Sequence, residues 1–168
     1  RRGIRICGAT CQQAAQTVLY QPWRQIFRQL LGVTAAGSGY SSRDERLVRQ
    51  MMQLETAIEA LNPDWLIRLP LLGDLLGLPI PDNATTAAFE PQMRQDALFG
   101  LVEDFFLAWT REQPLLLILE DVHWLDELSA ALLLSLSRTQ TEWPVLFLLT
   151  HDPAPAGAAM ESVRVELE

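Results

Sequence analysis

LLLILEDVHWLDELSAALLLSL, residues 115–136, is the stretch that decides the fold. Its first five residues are apolar without alternation, as expected for a central parallel strand covered on both faces. Two adjacent carboxylates, Glu120 and Asp121, end the run, and His123, Trp124 and Asp126 follow. Asp126 is placed to cap a helix whose apolar stripe is Leu128, Leu132 and Leu136, with Ala131 and Leu133 beside it. A buried strand that delivers paired acids to its carboxyl end and turns at once into a helix can hold a hydrated magnesium ion, which prefers oxygen ligands.

Downstream of this stretch, Trp143-Pro144 marks a turn, and residues 145–149 (VLFLL) read as a second fully buried strand. Residues 153–159 read as a loop. Residues 163–167 read as a last strand, with Val163, Val165 and Leu167 on one face. Upstream, residues 4–7 form a short strand between Gly3 and Gly8. Residues 21–31 follow as a helix, with Pro22 in its first turn and Gly32 just past its end. Residues 35–40 are a small-residue loop, and the chain contains neither GxGxxG nor GxxxxGK[ST]. Ser42 and Glu45 fit a capping box at the start of a helix that carries Leu47, Met51, Leu54, Ile58 and Leu61 on one face. The methionine in that stripe is core filler, and Asn62-Pro63 stops the helix. Residues 66–78 hold one or two short helices, and residues 79–86 a loop. A long helix spans residues 91–111, its buried face made of Met93, Ala97, Leu98, Leu101, Val102, Phe105 and Trp109.

This order of elements predicts an α/β layered fold with a mainly parallel sheet and flanking helices. Ligands of such sheets bind beyond the carboxyl ends of the strands. Glu120, Asp121 and residues 150–152 gather there.

Composition narrows the function. The 168 residues are 49% apolar and 20% charged, which suits a globular domain with a real core. All 13 basic residues are arginine, set against 21 acids, for a net charge of −8. That balance argues against nucleic-acid binding through backbone electrostatics. Cys7 and Cys11 have no second pair and lie far in sequence from His123 and His151. They read as reduced thiols rather than zinc ligands. No apolar run reaches the roughly 20 residues that span a bilayer, no signal-peptide core follows Arg1 and Arg2, and a cytoplasmic location is expected.

In its order of motifs, the chain resembles the STAND group of P-loop ATPases, relatives of the AAA+ class. Their modules recur in multidomain bacterial regulators linked to nucleotide cyclases, kinases and transcription activators. LLLILEDVHWLD resembles their Walker B region. Tyr20-Gln-Pro-Trp23 with Ile26, Phe27, Leu30, Leu31 and Gly32 resembles the helix after their second strand. LLGDLLGLP, residues 71–79, matches their usual insert, and VLFLLTHDP, residues 145–153, resembles the strand that ends in a sensor. The resemblance implies one truncated ATPase-like domain over 1–168. Residues 1–40 would form the second-strand unit and its helix, 41–112 a helical insert between the second and third family strands, and 113–168 the Walker B, sensor and last strands.

The resemblance also implies roles. Glu120 matches the acid on the magnesium side and Asp121 the acid that orients the attacking water, which also contributes to the metal site. Thr150 matches the sensor of the γ-phosphate, and His123 the histidine that could relay the nucleotide state. ATP and magnesium are the expected cofactors of the intact parent. Other domains of the same polypeptide are the expected partners, together with self-association through an incomplete sheet.

Two departures limit the expectation. The chain has no lysine and no phosphate-binding loop, so it reads as a piece beginning after that loop, lacking the first strand of an incomplete P-loop fold and inactive alone. Asp152 stands where related proteins carry arginine, and its charge repels phosphate rather than neutralising it. The competing expectation is a degenerate pseudo-ATPase that serves as an interaction scaffold.

Overall fold

A computed structural model of the chain describes residues 3–33, 42–139 and 143–152. Three strands, β1 (Arg5–Thr10), β2 (Leu115–Glu120) and β3 (Val145–Leu149), form a parallel sheet in the order β1-β2-β3. The helices are α1 (Gln21–Leu31), α2 (Arg43–Leu61), α3 (Leu69–Leu76), α4 (Pro91–Glu112) and α5 (Glu127–Thr139). The α/β class, the parallel sheet and the flanking helices are those expected, consistent with part of a P-loop NTPase fold. β1 extends three residues beyond the four-residue strand expected, because its ladder to β2 continues to Thr10 opposite Glu120. The loop expected at 35–40, the loop at 153–159 and the strand at 163–167 lie outside the described residues.

The chain divides into two compact units, residues 1–26 with 102–168, and residues 27–101. In the first unit, one face of the sheet is built from Cys7, Ala9, Leu115, Leu117 and Leu119, all buried. An aromatic group from α1 and α4 adds to this core. Trp23 meets Phe106 edge-on at 6.4 Å, and Phe106 meets Trp109 edge-on at 5.8 Å. Such pairs contribute about 0.5–1.5 kcal/mol each beyond the area they bury. The Trp23 indole N–H donates to the Ser129 carbonyl at 3.0 Å, which satisfies the polar end of a fully buried ring and ties α1 to α5.

The opposite face corrects the sequence reading. Ile6, Leu116 and Leu146 stand in one row across the sheet, and Gly8, Ile118 and Leu148 in the next but one. Ile6 is 61% exposed, Leu146 65% and Leu148 49%. β2 is therefore buried on alternate residues rather than throughout, and β3 is not fully buried. The reason is topological. Both steps, β1 to β2 and β2 to β3, move in the same direction across the sheet, and right-handed crossovers that keep their direction deliver their helices to the same face. Hydrophobicity of residues 115–119 and 145–149 thus reports a need for cover that the described residues meet on one side only.

In the second unit, α2 begins with the expected capping box. The Glu45 N–H donates to Ser42 Oγ at 3.1 Å and the Ser42 N–H to Glu45 Oε2 at 2.9 Å. Leu54 and Ile58 are buried, whereas Leu47, Met51 and Leu61 are half-buried. Met93, expected in the buried face of α4, is 54% exposed, because it lies in the first turn of α4, before the buried residues of that helix begin at Leu98. α3 is nearly all buried. It ends at Gly77 in the left-handed conformation (φ 66°), where the glycine lacks the Cβ that disfavours it. Arg28 donates to the Leu76 carbonyl at that end at 3.1 Å. Arg94 fastens the segment after α3 by donating to Asp74 at 2.7 Å, to Asp82 at 2.8 Å and to the Thr86 carbonyl at 3.2 Å. The Arg94 hydrogen bond, followed by that of Thr86, holds the Asp82 carboxyl below the usual aspartate range.

Gly73 tests this packing. A Cβ there would meet the Leu78 carbonyl oxygen at 2.9 Å and the Ile80 Cβ at 3.0 Å. Gly73→Ala is expected to destabilise the fold by about 1–3 kcal/mol, the usual cost of overpacking. Urea denaturation should show a lower midpoint with an unchanged slope.

Candidate functional site at the carboxyl end of the sheet

The ladder brings Thr10, Glu120 and Thr150 to one end of the sheet, since Thr10 pairs with Glu120 and Leu119 with Leu149. Beyond β2 the chain turns sharply. Asp121 takes the left-handed conformation (φ 57°, ψ 42°), which aspartate tolerates better than most side chains. A 3₁₀ turn over Val122–Trp124 follows, and then α5 begins.

Each of the acids has a different neighbour. The Thr10 hydroxyl donates to Glu120 Oε2 at 2.9 Å, and the Cys11 N–H donates to the Glu120 carbonyl at 2.9 Å. The Asp121 N–H donates to Thr150 Oγ1 at 3.2 Å. Two backbone bonds carry the ladder past the strand ends, from the Thr150 N–H to the Leu119 carbonyl at 3.0 Å and from the Val122 N–H to the Thr150 carbonyl at 2.9 Å. His123 Nδ1 accepts from the Asp152 N–H at 3.2 Å. Its ring lies 4.8 Å from that of Trp124, which is half-buried. Asp121, His123 and Thr150 are thus gathered in one place, with Glu120 next to Asp121 but held from the β1 side.

Both carboxylates are exposed, and among the described residues neither has an ion-pair partner. The donor set is all oxygen: two carboxylates and two threonine hydroxyls. That chemistry suits a hard cation that keeps most of its own water. Among the described residues no group of three or more His, Cys, Asp or Glu side chains forms a closed cage. A structural zinc site would need about four ligands, whereas a hydrated magnesium ion is held by one or two carboxylates.

Asp126 supports the site from below. It is 7% exposed and accepts from the Ser129 N–H at 2.9 Å, from Ser129 Oγ at 2.5 Å and from the Tyr20 N–H at 3.3 Å. It caps α5 as the sequence suggests, and it also fixes Tyr20, itself left-handed (φ 58°), at the entry to α1. Two contributions escaped the sequence reading. Thr10 joins Glu120 only once the register of β1 on β2 is known, and the Tyr20 bond spans 106 positions. Cys11, beside this group, has its thiol pushed up to about 12, first by burial and then by the charges of Asp126 and Asp121.

A family model described as an AAA ATPase domain matches residues 1–148. The chain belongs to that family. No curated protein and no solved structure matches it. Membership brings ATP and magnesium as the general ligands of AAA ATPase domains, and the acid-ended strand β2 lies within the matched residues. Among the described residues no helix is long and apolar enough to cross a membrane.

Two outcomes check this construction. Asp126→Ala should cost about 2–4 kcal/mol in chemical denaturation, since it removes a helix cap and leaves buried donors without acceptors; Asp126→Asn, which keeps one acceptor, should cost less. Cys11 should react with iodoacetamide in the folded protein at neutral pH at least about tenfold more slowly than in denaturant, because only the thiolate is the nucleophile.

Proposed function

We propose that this AAA ATPase-family chain is the magnesium-side part of a regulatory ATP-binding switch of the STAND type, within a bacterial multidomain signalling or transcription-regulating protein of the cytoplasm. The observation that carries the reading is the acid turn at the end of β2, bonded through the Asp121 N–H to the hydroxyl of Thr150 at 3.2 Å. In this reading Glu120 holds the hydrated magnesium ion, with the Thr10 hydroxyl fixing one of its oxygens. Asp121 shares in that ion and orients the attacking water. Thr150 has a hydroxyl proton to offer the γ-phosphate, because its bond to Asp121 uses only an oxygen lone pair. Bound magnesium would supply charge neutralisation between phosphates and carboxylates.

The phosphate-binding loop and its lysine are not among these residues, since the chain contains no lysine. In the proposed switch, loop and lysine act with the acid turn in the intact parent, and the change between nucleotide states passes to the domains attached to it. Those domains are the proposed partners.

A second reading is favoured by two observations. Asp152 occupies the position where an arginine would neutralise phosphate, and the open face of the sheet exposes Ile6, Leu146 and Leu148. Both suit a degenerate ATPase that serves as a scaffold, or a chain that self-associates through its sheet.

Calorimetry and a phosphate-release assay separate the readings. The chain alone is expected to bind Mg-ATP weakly, with Kd above about 1 mM, equivalent to about 4 kcal/mol or less, and to show no turnover. Turnover abolished by Asp121→Asn would overturn the prediction that these residues are inactive alone. If the chain, joined to the sequence that precedes it in its parent, neither binds nor hydrolyses ATP, the scaffold reading prevails. Sedimentation of the pure chain, wild type against Leu146→Glu, tests self-association: a dimer lost on substitution supports it.

A further inference from the structure

We propose that His123 is a positioning residue that clasps the acid turn to the chain leaving β3, and so holds Asp121 in its left-handed conformation. The inference rests on the reading of Asp121 given under Proposed function only for its consequence, not for its geometry. Three consecutive residues of the turn are bonded to the segment 150–152. The Asp121 N–H meets Thr150 Oγ1 at 3.2 Å, the Val122 N–H meets the Thr150 carbonyl at 2.9 Å, and His123 Nδ1 meets the Asp152 N–H at 3.2 Å. The middle bond prolongs the sheet ladder. The outer two use side chains, one from each side of the clasp, and they close the ends that the ladder leaves free.

The roles of these atoms are restrictive. A backbone N–H can only donate, so Nδ1 is the acceptor in this bond, and a ring proton belongs on Nε2. The Trp124 ring lies against the imidazole in a tilted contact, 4.8 Å between centroids. At the other end, Asp121 (φ 57°) occupies the left-handed region, uncommon for residues other than glycine though more accessible to aspartate than to most. The Asp121 N–H, bonded to Thr150 Oγ1, ties this residue to the end of β3. A group that draws Thr150 away therefore loosens the turn from one side, and loss of the His123 acceptor loosens it from the other. In either case the Asp121 carboxylate loses its fixed direction. This assigns a purpose to the histidine that ring chemistry alone does not: it couples the end of β3 to the acid that follows β2.

The test uses the whole chain, labelled with nitrogen-15. Ring nitrogen shifts are expected to identify the Nε2–H form of His123; the Nδ1–H form would overturn the proposal even if every variant fails to fold. In hydrogen exchange, His123→Ala is expected to speed the Asp121 and Asp152 amides by about tenfold or more, with amides of β1 and α5 unchanged. His123→Asn places an amide oxygen where Nδ1 lies and is expected to restore both rates to within about threefold of wild type. Unchanged rates in His123→Ala, or no rescue by His123→Asn, would overturn it. Manganese, added as a probe for magnesium, separates this result from the cation reading. Broadening of the Asp121 and Glu120 signals in wild type, weakened in His123→Ala, supports both. A normal exchange pattern with no broadening in wild type sinks the cation reading and leaves the clasp in place.

Discussion

The parallel register that β2 shares with both of its neighbours is the constraint from which the rest follows. A parallel ladder fixes strand ends relative to each other as well as strand neighbours. Leu115 opposite Arg5 and Val145 places Thr10, Glu120 and Thr150 at one level, five or so residues later. A slip of one residue in either pairing would turn every side chain of that strand to the other face. It would separate Thr10 from Glu120, or Thr150 from the Asp121 N–H. The apolar burial of Leu115, Leu117 and Leu119 opposes such a slip, so core packing at one end of the sheet guards hydrogen bonds at the other.

The same topology explains why the sheet is one-sided among the described residues. Strand order that never reverses gives crossovers that never change face. An open sheet gains cover on its second face where the order reverses, which is also where α/β sheets place their ligands. Ile6, Leu146 and Leu148 mark the side that such a reversal would cover, and the edge of β3 away from β2, unpaired among the described residues, is where another strand would join. Apolar exposure on β3 is thus a consequence of strand order among the described residues.

Much of this was legible in the sequence, for reasons that differ by element. α1 and α2 carry their own punctuation, Pro22 and Gly32 for one and Ser42, Glu45 and Pro63 for the other, and their ends fall where those residues act. The acid turn was legible because Glu120 and Asp121 interrupt an apolar run. What stayed hidden depends on distant neighbours. Leu146 and Leu148 have the same composition whether a helix covers them or not. Thr10 looks like any strand-ending threonine until it faces Glu120. The left-handed Asp121 has no glycine to signal it, and its N–H donates to Thr150 Oγ1, 29 positions away in sequence.

Charge sets the order in which such a site can work. Glu120 and Asp121 are adjacent, exposed and without an arginine partner among the described residues. Two unit charges 4 Å apart interact by about 4 kcal/mol at the effective dielectric of a protein surface. A phosphate brought alone to this turn would be repelled by each acid, less strongly than that because both are exposed to solvent, and the charge of Asp152 adds to it. A divalent cation would meet attraction from the same groups, and its arrival reverses the sign that a phosphate encounters. Within the proposed switch, these residues therefore act on nucleotide through the cation rather than directly. Direct affinity for phosphate belongs to basic groups and free backbone amides, whereas the amides of Asp121, Val122, Trp124 and Leu125 are bonded to Thr150 and to the carbonyls of Asp121 and Val122.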